Sequence, residues 1–267
     1  MSFETLHCAT ANAVATVTLN RPEVRNAIDS RMITELTTVA ETLDEDDAVR
    51  AVLLTGEGAG FCAGADLTAD TPGQDPNLSR GENIRQRLER GYNPMVLAWR
   101  GLNKPVVVAV NGVAAGGGVG LALVGDIVIA AESARFIQVF CPRLGLAPDM
   151  GCTWHLPRLV GDARARALTL LGDPLSAVDA ERIGLIWRCV PDAELAAEAR
   201  AVAVRLAGGP TKAFARTKRL LDNAARRDLE EQLTAEARAQ QSLGDSDDFA
   251  EGVHAFLDRR EPRFTGR

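Results

Sequence analysis

The sequence predicts an α/β fold that is followed by a helical C-terminal region. Short runs of apolar, β-branched residues end at glycine, proline or asparagine, as strands covered on both faces do. Between them lie segments whose apolar residues recur with the helical period. After Pro157 the composition shifts to Ala, Arg, Leu and Glu, and the helical pattern dominates. Hydrophobic residues make up 46 % of the 267 residues and aromatic ones 4 %, which suits a packed α/β core.

The first strand, helix and second strand are predicted between residues 13 and 55. Residues 13–19 alternate apolar and small polar side chains, as a strand does, and Pro22 closes the run. Asp29 is the predicted N-cap of a helix that reaches residue 44 and carries one apolar stripe. Residues 51–55 form a second buried strand. This order predicts a βαβ unit with parallel strands.

The stretch 105–126 is predicted to hold a buried strand, a sharp turn and a helix. Residues 106–110 are apolar and mostly β-branched, and the run breaks at residues 111–112, Asn-Gly. Three consecutive glycines, 116–118, then open an apolar helix of about two turns. Residues 127–131 supply a further strand.

The C-terminal third reads as a series of helices separated by glycines and prolines. We expect a core over residues 1–200 and a helical oligomerisation region over residues 201–267. The predicted helices are 162–171, 176–181, 193–206, 211–225, 229–243 and 247–259. Apolar stripes on the later helices are larger than one small core can cover, which predicts an oligomer.

Charge and composition exclude several classes of partner. The net charge is -6, so no basic field is present for a nucleic acid or an anionic membrane. The N-terminal residues lack the pattern of a signal peptide, and we expect a cytoplasmic protein. Five cysteines without a CxxC pair, and three scattered histidines, predict neither a disulfide framework nor a metal site.

Two glycine-rich turns follow strands, at the place where α/β folds bind ligands. One is GFCAGADL at 60–67 and the other is NGVAAGGGVG at 111–120. Backbone N–H groups at the start of a helix have no partner within it, and glycine lets a ligand approach them. These turns can therefore hold an oxygen that becomes negative during a reaction, or the glycines can simply allow close packing of helix on strand. Neither turn has the glycine spacing of a dinucleotide-binding or P-loop motif.

The polar segment 68–93 lies between these turns. It begins rich in Pro, Gly, Asp and Asn and then becomes a charged helix. We expect a lid over a binding site, since the flanking turns carry the chemistry, and an ordinary surface excursion is the alternative.

Six motifs in order resemble the enoyl-CoA hydratase/isomerase, or crotonase, superfamily. They are LNRPEVRNAI, GFCAGADL, PVVVAVNGVAAGGG, GDIVIAA, LGLAPDMGCTWHLPRLVG and EGVHAFLDRREPRFTG, and they span essentially the whole chain. The resemblance implies a spiral of ββα units, followed by a helical trimerisation region, in trimers or dimers of trimers. It also implies an acyl-CoA thioester substrate, whose coenzyme A is part of the substrate, and no other cofactor.

The resemblance further implies which residues form the site. Its members hold the thioester oxygen between two backbone N–H groups, which match Ala65 and Gly117 here. The positions that match contacts with coenzyme A are Arg25, Ala63, Asp66, Leu67 and Gly116, with Phe256 and Arg259 from a neighbouring subunit. For Arg25, Phe256 and Arg259 an ordinary amphipathic helix face is the alternative, and for Asp66 a structural turn residue.

The acid/base group distinguishes the members of the family. Hydratases carry two glutamates, but the matching positions here are Gly120 and one of residues 139–141, which include no glutamate. Asp149 matches the acid of family isomerases, in particular the subgroup of ring-epoxide isomerases of phenylacetate degradation. An apolar cleft would raise its pKa toward the range of a base, whereas a helix N-cap is the alternative role. The resemblance favours an isomerase; a fatty-acid β-oxidation hydratase and a non-catalytic acyl-CoA-binding trimer are the alternatives.

Overall fold

The computed structural model describes residues 3–68 and 75–267, and in those ranges it contains ten strands and eleven helices. The strands are β1 (Leu6–Ala11), β2 (Val14–Leu19), β3 (Ala51–Gly56), β4 (Gly60–Cys62), β5 (Val106–Val110), β6 (Val113–Ala115), β7 (Ile127–Ala131), β8 (Arg135–Ile137), β9 (Leu175–Ser176) and β10 (Arg188–Val190). The helices are α1 (Ser30–Glu45), α2 (Arg80–Arg87), α3 (Asn93–Gly101), α4 (Gly117–Ala122), α5 (Cys152–Val160), α6 (Asp162–Leu171), α7 (Ala177–Arg182), α8 (Leu195–Ala207), α9 (Thr211–Ala224), α10 (Leu229–Gly244) and α11 (Asp247–Asp258).

The larger sheet has six strands in the order β1-β2-β3-β5-β7-β10. β1 and β2 form an antiparallel hairpin, and every later neighbour pairs in parallel. Every residue of β5 is buried, as a strand covered on both faces requires. The four strands predicted from apolar runs are β2, β3, β5 and β7, and their predicted positions are confirmed to within one residue.

The smaller sheet has the order β4-β6-β8-β9, and its first three strands are parallel. From β3 to β8, each turn of the chain thus places one strand in the large sheet and the next in the small sheet before a helix follows. This arrangement is the predicted spiral of ββα units. Analysis of the residues alone missed every strand of the small sheet, because they are two or three residues long and depend on their neighbours for pairing.

The predicted N-cap and C-terminal helices are present. The Asp29 side chain accepts a hydrogen bond from Met32 N at 2.8 Å and begins α1. Helices α6, α7, α9, α10 and α11 lie within one residue of their predicted bounds, and α8 begins two residues late. The predicted division between residues 200 and 201 falls inside α8, whose Ala199, Ala203 and Ala207 are buried against the large sheet. The helices beyond that layer begin at Thr211.

Charged side chains attach α9 to the core. Lys218 Nζ lies 2.8 Å from a carboxylate oxygen of Asp126 and donates to the carbonyl of Lys104 at 2.8 Å. Arg100 on α3 pairs with Asp222 on α9 and lies 3.6 Å from Asp126. These contacts fix α9 against the edges at which β5 and β7 begin.

The C-terminal tail returns to the core at Arg50. The guanidinium of Arg50 donates to the carbonyl of Gly209, to Thr211 Oγ1 at 3.1 Å and to the carbonyl of Phe264 at 2.8 Å. In the single chain the last helices still leave large apolar side chains exposed, namely Leu221, Leu229, Leu233, Phe249, Val253, Phe256 and Leu257. Phe214 and Leu220 of the predicted stripes are half-buried.

All five cysteines are free thiols. Cys62 and Cys152 are buried, whereas Cys8, Cys141 and Cys189 are partly exposed. Across residues 3–68 and 75–267, no helix is both long enough and apolar enough to cross a bilayer.

Candidate active site

A cavity of about 770 Å³ opens where β4 and β6 of the small sheet end. Its walls are α1, the turn after β4, α2 with the π-helical turn Leu88–Tyr92, the first residue of α4, and the loop that precedes α5. Among its lining residues are Ile33, Thr37, Ala65, Leu67, Ile84, Arg87, Tyr92, Gly117, Phe140, Leu146, Asp149 and Met150. About half of the lining residues are apolar, and the rest carry polar or charged groups.

The turn after β4 presents the N–H of Ala65. Ile28 runs beside this turn: its N–H donates to the carbonyl of Gly64 at 2.7 Å, and its carbonyl accepts from Asp66 N at 2.9 Å. Within the part of the chain that the structure describes, the Ala65 N–H donates to no protein acceptor. A carbonyl and the next N–H of one trans peptide point in opposite directions, so the bond to Gly64 turns the Ala65 N–H away from Ile28.

Polar side chains hold this first turn in place. The Asn26 amide, fully buried, donates to the carbonyls of Glu57, Gly60 and Phe61 at 2.9–3.1 Å. Asp66 accepts from Arg21 at 3.0 Å, and only 5 % of its side chain is exposed. Buried polar groups need such partners, and here the partners shape the backbone.

The second turn presents the N–H of Gly117, the first residue of α4. Gly116 has φ +52° and ψ −121°, a conformation open to glycine, and its N–H donates to Ile137 at the end of β8. Among the described residues, the Gly117 N–H has no protein acceptor. A Cβ added to Gly64 would lie 3.1 Å from Gly117 N, so the two turns are in contact. Ala65 and Gly117 both line the cavity.

Glycines also bring the two turns together. A Cβ added to Gly118 would lie 2.0 Å from the carbonyl oxygen of Cys62 in β4. Real Cβ atoms do not approach a backbone oxygen so closely, so α4 can pack on β4 only without a side chain here. The alternative interpretation of the glycine run, close packing of a helix on a strand, is thus also correct for Gly118.

Met150 fits into a notch on the glycine face of α4. A Cβ added to Gly120 would lie 2.5 Å from the Met150 carbonyl oxygen, and one on Gly117 would lie 2.5 Å from Met150 Sδ. Met150 has φ +49°, which is rare for a residue with a side chain, and it is buried. The contact fixes the preceding residue, Asp149, in the cavity wall.

Burial raises the pKa of the Asp149 carboxyl from its usual 3.8 to about 6, and the positive charge of Arg87 acts in the opposite direction. The carboxyl is therefore poised to take up and release a proton near neutral pH. The alternative role for Asp149, a helix N-cap, is wrong. Helix α5 begins after Gly151, without a side-chain cap, and only the backbone carbonyl of Asp149 accepts from Cys152 N.

Comparisons with known proteins place this geometry in a family. The model of the Enoyl-CoA hydratase/isomerase family matches residues 9–267. The chain belongs to that family. It is 47 % identical over 257 residues to the 1,2-epoxyphenylacetyl-CoA isomerase of Escherichia coli, covering 95 % of each chain. It is 44 % identical to a Rhodobacter capsulatus protein named "Probable enoyl-CoA hydratase", over 100 % of both.

A solved structure supports the same assignment. The enoyl-CoA hydratase of Bacillus anthracis superposes with a TM-score of 0.90 at 31 % identity, covering 99 % of this chain and 100 % of the other. The protein is therefore an enzyme of the enoyl-CoA hydratase/isomerase family, as its motifs predicted. Both hydratase and isomerase names occur among its relatives.

The two positions at which the resemblance predicts glutamates in a family hydratase are occupied differently here. Met150 closes off the space beside Gly120, and of residues 139–141, which match the second position, Phe140 lines the cavity. Besides Asp149, the carboxylate that lines the cavity among the described residues is Asp66, which is paired with Arg21.

The residues predicted to contact coenzyme A are spread along the chain. Leu67, 71 % exposed, and Asp66 line the cavity beside Ala65. Ala63 donates its N–H to the carbonyl of Arg25 at 2.9 Å, and the Arg25 side chain is exposed outside the cavity lining. Gly116 precedes Gly117 in the second turn and is not among the residues that line the cavity. Phe256, 83 % exposed, and Arg259 lie at the end of α11, outside the lining of this cavity.

The predicted lid, 68–93, is described in part. Residues 69–74 lie outside the described residues. The remainder includes α2 and the π-helical turn, whose side chains line the cavity together with those of α1. A π-helical turn often marks a functional site.

Sequence reasoning missed several residues of this site. Tyr92 lies within the predicted lid, 68–93, and is the only tyrosine of the chain, but it is not among the predicted site residues. Asn26, Arg21 and Met150 act on backbone that is distant in sequence, so their roles depend on the fold. Gly117 and Gly120 are one helical turn apart, so they lie on the same face of the helix. This spacing is the feature of the sequence that could have predicted the notch filled by Met150.

Proposed function

We propose that this enzyme is an acyl-CoA isomerase, which moves a double bond or rearranges a ring epoxide with Asp149 as its acid/base group. The observation that carries the proposal is the partly buried Asp149 carboxyl, which shares one cavity with the Ala65 and Gly117 N–H groups. A double-bond shift needs one group that takes a proton from one carbon and returns it to another. The E. coli relative named as an isomerase supports this choice.

In the proposed reaction, the thioester oxygen accepts hydrogen bonds from Ala65 N and Gly117 N. Asp149 removes a proton from the carbon beside the carbonyl, and the electron pair moves onto the thioester oxygen to form an enolate. Preorganised donors stabilise that charge, and one donor contributes roughly 3 kcal/mol. Asp149 then returns the proton to a carbon further along the acyl chain, and the double bond forms next to the carbonyl. No cofactor is consumed, because coenzyme A is part of the substrate.

The proposed contacts with coenzyme A are Arg25, Ala63, Asp66, Leu67 and Gly116, with Phe256 and Arg259 of a neighbouring subunit. The last two require an assembly, because they lie outside the cavity of their own chain. We propose a homotrimer or a dimer of trimers, supported by the exposed apolar side chains of the last helices. Light scattering that reports a monomer at micromolar concentration would contradict this assembly.

The test compares wild type with Asp149→Asn on a 3-enoyl-CoA, a 2-enoyl-CoA and the ring 1,2-epoxide of phenylacetyl-CoA. We expect the amide to lower isomerisation by about 10²–10⁴-fold, the usual contribution of an acid/base group. Binding of a saturated acyl-CoA should change little. Asp162→Asn is the matched control, because this exposed aspartate pairs only with Arg166 in its own helix turn.

Stability gives a second readout of the same variant. The folded pKa of Asp149 is raised, so the folded protein binds this proton more tightly than the unfolded chain does. Wild type should therefore lose stability as the pH rises from about 4 to about 6, by the order of 1–3 kcal/mol. Asp149→Asn lacks this loss, so it should be the more stable protein at pH 8 and equal at pH 4.

The R. capsulatus relative named as a hydratase makes hydration the second candidate. Fast hydration of the 2-enoyl-CoA that survives Asp149→Asn would refute the isomerase with a single base. Tight binding of all three thioesters without turnover would favour the non-catalytic binding protein.

A further inference from the structure

We infer that Tyr92 is a positioning residue, which holds the Ala65 N–H in place through the backbone of Ile28. The inference rests on the proposed function, because it concerns the oxyanion donor of that reaction. Tyr92 is 3 % exposed and closes the π-helical turn between α2 and α3. Its ring lines the cavity that also contains Asp149.

Hydrogen bonds through the backbone of Ile28 connect the Tyr92 hydroxyl to the peptide that carries the Ala65 N–H. Tyr92 Oη donates to the carbonyl of Ile28 at 3.2 Å. The same carbonyl accepts from Asp66 N at 2.9 Å, and the Ile28 N–H donates to the Gly64 carbonyl at 2.7 Å. Ile28 therefore grips the peptides on both sides of Ala65, and Tyr92 supplies the second donor to its carbonyl.

The direction of the Ala65 N–H follows from this grip. Gly64 C=O and Ala65 N–H belong to one planar peptide and point in opposite directions. While Ile28 holds the carbonyl on its side, the N–H must face away from Ile28. A small rotation of Ile28 would turn the whole peptide and misdirect the donor, and oxyanion stabilisation depends on that direction.

Tyr92 also contacts Arg87, which lies just before it in the same helical segment. Arg87 at the end of α2 lies over the Tyr92 ring, 5.4 Å from its centroid, and its Nη2 lies 3.4 Å from the hydroxyl. Burial raises the pKa of Tyr92 to about 12, so the phenol stays a neutral donor. One side chain thus joins the wall formed by α2 to the turn that presents Ala65.

The experiment compares wild type, Tyr92→Phe and Thr55→Val as purified full chains. Thr55 is the matched control because its hydroxyl donates to the Ala109 carbonyl at 2.9 Å, across β3 and β5 and away from the cavity. Both variants lose one hydroxyl-to-carbonyl bond between distant elements. The probe is acetoacetyl-CoA, whose enolate has its own ultraviolet absorbance and forms when Asp149 accepts the proton and the oxyanion donors hold the oxygen.

We expect Tyr92→Phe to lower the enolate-to-keto ratio of the bound probe, and kcat with a 3-enoyl-CoA, about tenfold, as for one hydrogen bond. KM and the affinity for a saturated acyl-CoA should stay within twofold. Thr55→Val should lose similar thermal stability but keep the enolate ratio and kcat.

Because Tyr92 is the sole tyrosine, incorporation of 3-fluorotyrosine gives the protein a single ¹⁹F resonance. This resonance should shift when acetoacetyl-CoA binds.

The outcomes separate this inference from the proposed function. If wild type forms the enolate and Tyr92→Phe forms it equally well, Tyr92 has only a structural role and the inference is overturned. If wild type binds the probe but forms no enolate, the proposed function fails, and the role of Tyr92 fails with it.

Discussion

The two turns that present the N–H groups are held by opposite means. Residues 60–67 are fixed by polar side chains, among them Asn26 and Arg21, whose bonds fix the backbone. Residues 116–120 are fixed by the absence of side chains, which lets Cys62 and Met150 approach α4. A hydrogen-bonded turn can lose one bond and relax, whereas a steric notch has no such reserve. The glycine turn should therefore be the less tolerant of substitution.

The largest effect is expected from Gly118→Ala. Its Cβ would lie 2.0 Å from the Cys62 carbonyl oxygen, so α4 and β4 must separate. We expect the free energy of unfolding in urea to fall by about 3 kcal/mol or more, with loss of turnover. Gly101→Ala is the control, because nothing lies within 4 Å of its added Cβ. If the Gly118→Ala protein is stable and active, the packing of α4 on β4 does not require a residue without a side chain at this position.

Gly120→Glu tests whether a hydratase glutamate can be restored. Its Cβ would lie 2.5 Å from the Met150 carbonyl oxygen, so the loop that carries Asp149 must move. A displacement of about 1 Å at a catalytic group can cost 10²-fold, and we expect that loss of isomerisation without any gain in hydration. Gly120→Ala should share most of the loss, since the clash begins at Cβ. Hydration acquired by the glutamate variant would contradict the closed notch.

Asn26→Gly tests the hydrogen-bonded turn. Asn26 has φ +55°, so glycine removes the amide without backbone strain. Three carbonyls lose their donor, and we expect about 2 kcal/mol lower stability with roughly tenfold lower kcat. Asn12→Gly, at φ +56° on the surface, should be neutral in the same thermal melts. Equal effects at both sites would show that the Asn26 amide does not hold the turn.

The smallest effect is expected from Arg87→Gln, which removes a charge near Asp149 and keeps the hydrogen bond from Tyr92 to Ile28. Arg87 lowers the pKa of Asp149, so its removal should raise that pKa above about 6. The base must be deprotonated, and the acidic limb of the kcat/KM profile should move to higher pH by less than about one unit. Arg85→Gln, exposed and paired with Glu82 and Glu89, should leave the profile unchanged. If the acidic limb moves to lower pH instead, a group other than Asp149 determines its position.

The same contrast explains what the sequence could predict. Strand β5 and helix α1 follow from local patterns, an apolar run and a capped amphipathic stripe. The glycine turn was found because three glycines before an apolar helix are a local signal. Asp149 was found only through the family resemblance, since its environment is built by α4 and Met150. The polar network around Asn26 joins backbone segments some 30 residues apart and has no local signature.

Arg50 joins the two ends of the segment that contains α9, α10 and α11. Its guanidinium binds Gly209 and Thr211 before these helices and Phe264 after them, so the segment forms a closed loop. A protease that cuts the chain at 225–228 would open this loop without freeing either piece. The larger fragment would keep α9 through its own ion pairs with the core, and the smaller one would stay anchored through its tail. The two fragments should therefore co-purify under native conditions, separate in denaturant and reassemble as complementing halves.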